Sequence, residues 1–308
     1  MKACIDIGGT KVAVSLNTGA GLDLIARRSE PTAKTGSNDA VAQQVIRMVD
    51  EACVEAGLDP TAVQRCGVSA AGPFVLNAGL VELATPNICG GMAGPARGLP
   101  NTWLTATMEA PLRHRFKEGV RVENDAVSAL EAERRWGALQ GFEHCAYVTW
   151  STGVGMGLCV DGRVLRGKDG NAGHGGHMFV SDNEDALCGC GNIGDLEALV
   201  AGNSVERRFG ADAATMMQKA SSGDPDALAV VDQLCRAMGR GLYNITVILD
   251  LQRISLGGSV FLRNQELLLP RLAAQLAGKL PALTDGCELV PAGLGERVGD
   301  YAALALLV

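Results

Sequence analysis

Two of the chain's glycine-containing segments carry groups suited to binding phosphate. The first, Asp6-Ile7-Gly8-Gly9-Thr10-Lys11, follows an apolar strand, and its two glycines let successive backbone N–H groups face phosphate oxygens. Thr10 and Lys11 add a hydroxyl and a cation, and Asp6 is suited to hold the metal that neutralises the phosphates. The segment is not a P-loop, because the Gly-Lys-Ser/Thr helix start is missing. Taken alone, it fits a plain glycine hairpin equally well.

The second such segment, from Thr149 to Gly157, contains Thr152 and Gly153 in a glycine turn between two strands, and could cradle the same nucleotide from the other side. Its glycine spacing does not match the dinucleotide-binding fingerprint. A third glycine segment, Leu256-Gly257-Gly258-Ser259, follows a later strand, where the glycines would let an adenosine lie flat on the backbone. Each segment is weak evidence alone, but the three in this order favour a nucleotide-binding protein.

A carboxylate and an amide stand together at Asn124-Asp125, where a strand is expected to end and a helix to begin. Phosphoryl transfer needs positioning, charge neutralisation and one carboxylate that accepts the hydroxyl proton. A strand end directly before a helix holds such a group stiffly. Taken alone, however, an Asn-Asp pair at this place is more typical of a helix cap.

Composition limits the class of protein. The 308 residues, 47% hydrophobic and 20% charged, are enough for two buried cores. The formal charge of −7 argues against an extended nucleic-acid surface. We find no secretory signal and no apolar run of about 18 residues, so no membrane partner is expected. Most of the ten cysteines stand singly in apolar segments, which indicates buried free thiols and a reducing cytoplasm: Cys4, Cys53, Cys66, Cys145, Cys159 and Cys235.

The alternation of strand and helix patterns predicts an α/β protein. Two strand–glycine turn–strand patterns, over residues 3–16 and 145–160, predict two lobes of similar build, and residues 77–100 are predicted as a loop. The other predicted elements are helices over 37–57 (capped by Ser37 or Asn38), 104–116, 126–136 and from about Asp224, and strands over 66–69, 120–123 and 253–256.

In this order the motifs resemble the sugar-kinase, heat-shock-ATPase and actin superfamily. More narrowly, the chain resembles the ROK family (repressors, open reading frames and kinases) almost end to end. The matching stretches are residues 6–11, 122–126, 151–157, 173–178, 188–197, 256–259 and 294–295. The resemblance implies a two-lobed actin-like ATPase fold of the ribonuclease H-like type, with the active site in the interlobe cleft. We expect the lobes at 1–123 and 124–308, with the last helix packing back on the first lobe.

The resemblance also implies residue roles. Asp125 would be the general base, with Asn124, Glu197, His177 and His174 on the sugar. The phosphates and the metal would be surrounded by Asp6, Gly8, Gly9, Thr10, Lys11, Thr152 and Gly153, and the adenosine by Gly257 and Gly258. The lobes are expected to close on the sugar, since water left beside ATP would hydrolyse it.

Two positions in the signature region 174–197 depart from the family. His177, Cys188 and Cys190 match residues that hold structural zinc, but Asp195 stands where the last cysteine is expected. Zinc also accepts carboxylate oxygen, so this set predicts a weaker zinc site; the alternative is an ordinary turn without metal. His174 replaces a glutamate that contacts sugar hydroxyls, which predicts an altered sugar preference.

These features predict a cytoplasmic, homodimeric sugar kinase that uses ATP and Mg²⁺. Its expected substrate is glucose or a related hexose, phosphorylated at the 6-hydroxyl, and the alternative is an amino or N-acetylated hexose such as N-acetylmannosamine. A repressor of the same family is disfavoured, because only five residues precede Asp6. A non-catalytic sugar-binding regulator is disfavoured because the phosphate motifs and Asp125 are all present.

Overall fold

The computed structural model describes residues 1–19, 21–93, 98–183 and 185–308. Its strands are β1 (Lys2–Ile7), β2 (Lys11–Asn17), β3 (Ile25–Pro31), β4 (Arg65–Ala70), β5 (Phe74–Asn77), β6 (Leu80–Leu83), β7 (Ala106–Thr107), β8 (Gly119–Asn124), β9 (Cys145–Trp150), β10 (Val154–Val160), β11 (Arg163–Val164), β12 (Arg253–Gly257) and β13 (Glu288–Pro291). Its helices are α1 (Ala40–Glu55), α2 (Gly90–Ala93), α3 (Glu109–Arg115), α4 (Asp125–Trp136), α5 (Leu196–Val200), α6 (Gly202–Phe209), α7 (Ala213–Ser221), α8 (Pro225–Leu249), α9 (Ser259–Leu262), α10 (Gln265–Leu276), α11 (Pro281–Thr284) and α12 (Val298–Ala305).

The chain forms two compact units. The first contains Met1–Ala132, Arg166–Asn171 and Arg297–Val308, and the second contains Glu133–Leu165 and Ala172–Glu296. The sequence-based division placed Asn124 and Asp125 in the C-terminal lobe, whereas they lie in the first unit, because β8 pairs with β4 and α4 follows it directly.

The first unit is built on a five-stranded sheet with the order β3-β2-β1-β4-β8. Strand β2 is antiparallel to both of its neighbours, while β1, β4 and β8 are parallel to one another. Ile7, Ala70 and Asn124 are in register, so the turn after β1 and the start of α4 lie at the same edge of the sheet. Helix α12 packs against β1 and β4 in this unit.

The second unit repeats this plan. Its sheet has the order β11-β10-β9-β12-β13, with β10 antiparallel to its neighbours and β9, β12 and β13 parallel. The long helix α8 covers the core and packs against α5, α7 and α10. Asp224 caps α8 by accepting a hydrogen bond from the Ala227 amide at 2.9 Å, as the predicted helix start implies.

Each unit has its own apolar core. Ile5, Val14 and Met48 belong to the core of the first unit, and Trp150 and Phe261 to that of the second. The six singly placed cysteines are buried free thiols, as predicted.

Four local predictions were wrong. Residues 77–100 include β6 and α2, because β6 pairs with β5 and β7 in a small antiparallel sheet. The predicted helix over 104–116 is shortened to α3, since Ala106–Thr107 pairs as β7. Val154 to Gly157 belong to β10 instead of a turn, because pairing with β9 outweighs the glycines. Helix α1 begins after Asp39 without a side-chain cap, so neither Ser37 nor Asn38 caps it.

Hydropathy and helix length also bear on the membrane question. Among the helices of the described residues, none is both long and apolar enough to cross a bilayer.

Candidate active site

The turn after β1 is held by its own backbone and by Thr32. The Gly8 amide donates to the Lys11 carbonyl at 2.9 Å, so this N–H closes the turn and does not face a ligand. The Thr32 hydroxyl donates to the Gly8 carbonyl at 2.7 Å. A ligand at this turn is therefore left with the amides after Gly8, together with the Thr10 and Lys11 side chains.

Asp125 begins α4 at the same sheet edge. The Ala126 amide donates to Asn124 Oδ1 at 3.0 Å and to Asp125 Oδ1 at 2.8 Å. The capping interaction that the Asn-Asp pair suggested is thus formed, and it fixes the orientation of both side chains.

Asp6 lies near Asp125 within the first unit. Burial, and then the Asp125 carboxylate, raise the pKa of Asp6 to about 6, while Lys11 and Arg27 oppose this rise. A bound cation would offset the repulsion that the Asp125 carboxylate exerts on an ionised Asp6.

Two further residues of the first unit bear on this site. Arg166 Nε donates to Glu123 Oε1 at 2.5 Å, which pairs the buried carboxylate directly before Asn124. Asn87 packs against the turn after β1, since a methyl group at Gly9 would lie 2.5 Å from Asn87 Cβ. Sequence reasoning missed Asn87, because it stands among the glycines and prolines of the segment predicted as a loop.

In the second unit the turn before β10 is tied to Glu197. The Val154 amide donates to Glu197 Oε2 at 2.9 Å, and a methyl group at Gly153 would lie 2.7 Å from the same oxygen. The structure thus brings Glu197 against Gly153 and Val154.

The run from Gly173 to His177 lies on β10. The Met156 amide donates to the Gly173 carbonyl at 3.0 Å, and a methyl group at Gly176 would lie 2.3 Å from the Val154 carbonyl oxygen. The glycines therefore serve close packing against the strand. The His174 and His177 rings are stacked, with centroids 6.3 Å apart and planes at 23°.

His177, Cys188, Cys190 and Asp195 form a cluster whose ligand atoms all lie within 4.8 Å of one another. His177 Nδ1 lies 3.2 Å from Asp195 Oδ2 and 3.7 Å from Cys188 Sγ, and Cys190 Sγ lies 3.4 Å from Asp195 Oδ2. Tetrahedral zinc with bonds of about 2.0–2.3 Å separates its ligand atoms by about 3.3–3.8 Å. The cluster therefore has close to the spacing that zinc requires.

Asp195 has two functions in this cluster. Its Oδ2 faces His177 and Cys190, while its Oδ1 accepts from the Ala198 amide at 2.7 Å and so caps α5. Burial opposes ionisation of Asp195, but hydrogen bonds from His177, the Ala198 amide and the two thiols outweigh it and lower its pKa. The hydrogen bond to Asp195 in turn raises the pKa of His177.

Close contacts within the chain require glycine at positions 257 and 258. A methyl group at Gly257 would lie 2.3 Å from the Tyr147 hydroxyl, and one at Gly258 2.4 Å from the Trp150 carbonyl oxygen. Gly258 also has φ +85°, a conformation that favours glycine. The pair therefore brings the end of β12 against Trp150, directly before the turn that contains Thr152.

The site residues fall into one set in each unit. The first unit holds Asp6, Gly8, Gly9, Thr10, Lys11, Asn124 and Asp125. The second unit holds Thr152, Gly153, His174, His177, Cys188, Cys190, Asp195, Glu197, Gly257 and Gly258.

Comparisons with known proteins agree with these motifs. The ROK family model matches residues 2–307. The glucokinase of Aeropyrum pernix is 29% identical, with 98% of this chain and 95% of that protein covered. The N-acetylmannosamine kinase of Salmonella typhi is 31% identical, with 83% and 82% covered. The crystal structure of the ROK hexokinase from Thermus thermophilus is 32% identical, with a TM-score of 0.74 and 99% and 97% covered.

The chain belongs to the ROK family. The predicted actin-like ATPase fold is confirmed. The chain is a sugar kinase, a phosphotransferase with an alcohol acceptor, as the motifs predicted.

Proposed function

We propose that the chain transfers the γ-phosphate of MgATP to a hydroxyl of glucose or a related hexose, with the 6-hydroxyl as the expected acceptor. The observation that carries this proposal is the position of Asp125, at the start of α4 and beside Asp6. A base and a second carboxylate at one sheet edge suit phosphoryl transfer, which needs a proton acceptor and charge neutralisation.

In this proposal Asp125 accepts the proton of the attacking hydroxyl, and Asn124 orients the sugar. Asp6 would hold Mg²⁺, which supplies charge neutralisation on the phosphates. The mutual repulsion of Asp6 and Asp125 fits a cation here. Thr10 and Lys11, with Thr152 and Gly153 of the second unit, would contact the phosphates.

Glu197 and the two histidines are the proposed sugar contacts of the second unit. His177 directs Nδ1 at Asp195 and Cys188, which leaves Nε2 for a sugar hydroxyl. A ring whose Nδ1 binds a metal carries its proton on Nε2, so His177 would act as a hydrogen-bond donor.

The second candidate substrate is an amino or N-acetylated hexose. Two observations favour it: the similarity to N-acetylmannosamine kinases, and His174 in place of a glutamate. Neutral imidazole offers one donor and one acceptor, whereas an ionised glutamate only accepts.

A coupled ADP assay over hexoses and their amino and N-acetyl derivatives tests both candidates. We expect one group of sugars to give the highest kcat/KM, with no ADP release above background in their absence. ADP release that no sugar stimulates would refute the proposal. The predicted homodimer and cytoplasmic location stay predictions, and light scattering would test the first.

We also propose that the His177–Cys188–Cys190–Asp195 cluster binds one structural zinc ion. The donor set and its spacing support this, since two thiolates, an imidazole and a carboxylate are ligands that zinc accepts. Elemental analysis of protein purified without chelator should give about one zinc per chain. A zinc-free protein with unchanged stability would contradict the proposal.

Substitutions at Asp195 separate its two functions. Asp195→Asn keeps an oxygen that can cap α5 but loses the carboxylate ligand, so it should weaken zinc binding with little effect on the cap. Asp195→Cys supplies a softer ligand and should tighten the site, but it removes the cap, which costs about 1 kcal/mol. Competition with a chromogenic chelator measures zinc affinity, and thermal unfolding of the chelated protein measures the cap.

A further inference from the structure

A buried carboxylate lies in the second unit, apart from the residues discussed so far. Glu133, in the third turn of α4, is 0% exposed. Within the described ranges, no arginine or lysine forms an ion pair with it. An ionised carboxylate without a counter-ion is costly to bury unless hydrogen bonds satisfy it.

Backbone amides supply most of those hydrogen bonds. Glu133 Oε2 accepts from the Ala138 amide at 2.8 Å, from the Gly293 amide at 2.9 Å and from the Ser255 hydroxyl at 3.2 Å. Its Oε1 accepts from the Leu294 amide at 2.8 Å. One side chain thus joins the turn after α4, strand β12 and the turn after β13.

The segments around this carboxylate are packed without space for a side chain. A methyl group at Gly137 would lie 2.5 Å from the Glu133 carboxylate, and one at Gly293 2.5 Å from the Ala138 amide. The hydrogen bonds are therefore made by backbone held in close contact, and a displaced carboxylate would shift all three segments together.

Strand β12 leads from this cluster to Gly257 and Gly258, the residues that the family resemblance assigns to the adenosine. Ser255 stands two residues before Gly257, and the Leu256 carbonyl accepts from the Ala292 amide at 2.8 Å, directly before Gly293. Glu133 therefore holds both β12 and the segment beside it just before the Gly257-Gly258 pair.

We infer that Glu133 is a positioning residue for the nucleotide, which fixes the end of β12 where Gly257 and Gly258 would meet the adenosine. The inference rests on the proposed function. Glu133 itself is buried among protein groups and acts only through the backbone that it holds.

The test compares direct binding of MgADP with sugar kinetics. Glu133→Gln keeps the shape but turns an amide NH₂ toward backbone N–H groups, so one or two hydrogen bonds become repulsive. We expect the Kd for MgADP to rise at least about tenfold, while the KM for sugar changes less than about threefold.

Glu109→Gln is the control for loss of a buried carboxylate, although Glu109, unlike Glu133, also pairs with Arg113. Glu109 is also buried, at 6% exposed, and its carboxylate accepts from the Val81 amide at 2.8 Å, but it lies in the small sheet region of the first unit. The control should lower the melting temperature and leave MgADP binding unchanged. Equal effects of the two variants on the Kd would overturn the inference.

Ser255→Ala keeps the test decisive if Glu133→Gln does not fold. It removes only the hydroxyl that joins β12 to Glu133, and we expect the Kd for MgADP to rise about threefold or more. An unchanged Kd in Ser255→Ala, or a wild-type chain that does not bind MgADP, would refute the positioning role. A chain that binds MgADP but phosphorylates no sugar would refute the proposed function alone.

Discussion

The hairpins β1–β2 and β9–β10 share a topology and differ in charge. The first turn carries Asp6 at the end of β1 and Lys11 at the start of β2, and Asp125 lies nearby. The second turn is the uncharged Ser151-Thr152-Gly153, and the carboxylate beside it, Glu197, accepts from the Val154 amide. In the proposed function, the first turn carries the Mg²⁺ ligand beside the base Asp125, whereas the second turn offers uncharged phosphate contacts beside the partly buried Glu197.

The largest expected effect is the loss of turnover when Asp125, but not Glu197, is changed to its amide. Asp125→Asn keeps the acceptor for the Ala126 amide but removes the base, so we expect turnover to fall about 10²–10⁴-fold with folding and sugar binding preserved. Glu197→Gln keeps an acceptor for Val154 and should mainly raise the KM for sugar. Steady-state kinetics measures both, and near-normal turnover in Asp125→Asn would remove Asp125 from the mechanism.

The next largest effect is expected at His174, in the segment 173–177 that packs against β10. His174→Glu replaces a ring that can donate by a carboxylate that only accepts. We expect the ratio of kcat/KM values to shift toward glucose, relative to the native substrate, by at least about tenfold. An identical ranking of sugars in both proteins would show that His174 does not set specificity.

Alanine substitutions at the glycines of the two turns should have different kinetic effects. At Gly8 a methyl group would meet only the Lys11 carbonyl oxygen at 3.6 Å, so Gly8→Ala should leave stability unchanged. If phosphate approaches this turn closely, the KM for MgATP should still rise about fivefold to tenfold. Gly153→Ala would press on Glu197 and should raise the KM for sugar instead. The same response in both variants would remove the proposed division of roles.

The last effect is the pH dependence of stability that Asp6 contributes in the first hairpin. The pKa of Asp6 is raised to about 6 in the folded protein, so between about pH 4 and 6 the native state keeps a proton that the unfolded chain has lost. Stability should therefore fall as pH rises through this window. Asp6→Asn removes the effect, and we expect it to stabilise the metal-free protein by about 2 kcal/mol more at pH 7 than at pH 4.

Urea denaturation without Mg²⁺ measures this difference. A constant difference between the two proteins across the pH range would show that burial and Asp125 do not perturb Asp6.

The candidate site residues stand in short runs of adjacent residues, which is why the sequence alone was enough to propose them. Asn124 and Asp125 stand together at a strand–helix junction because the strand pattern ends where the helix pattern begins. The family, the fold and the sugar-kinase activity were predicted from the resemblance of these motifs to the ROK family, and all three are confirmed.

The tertiary structure decided what depends on pairing and on packing between distant segments. Strand pairing placed β6 and β7 in a segment predicted as loop and helix, and extended β10 through two glycines. Packing between distant segments placed Asn87 against Gly9, and Glu133 against Ser255 and the amides of residues 293 and 294. Local sequence carries no signal for these contacts, because each depends on backbone positions that only the assembled sheets define.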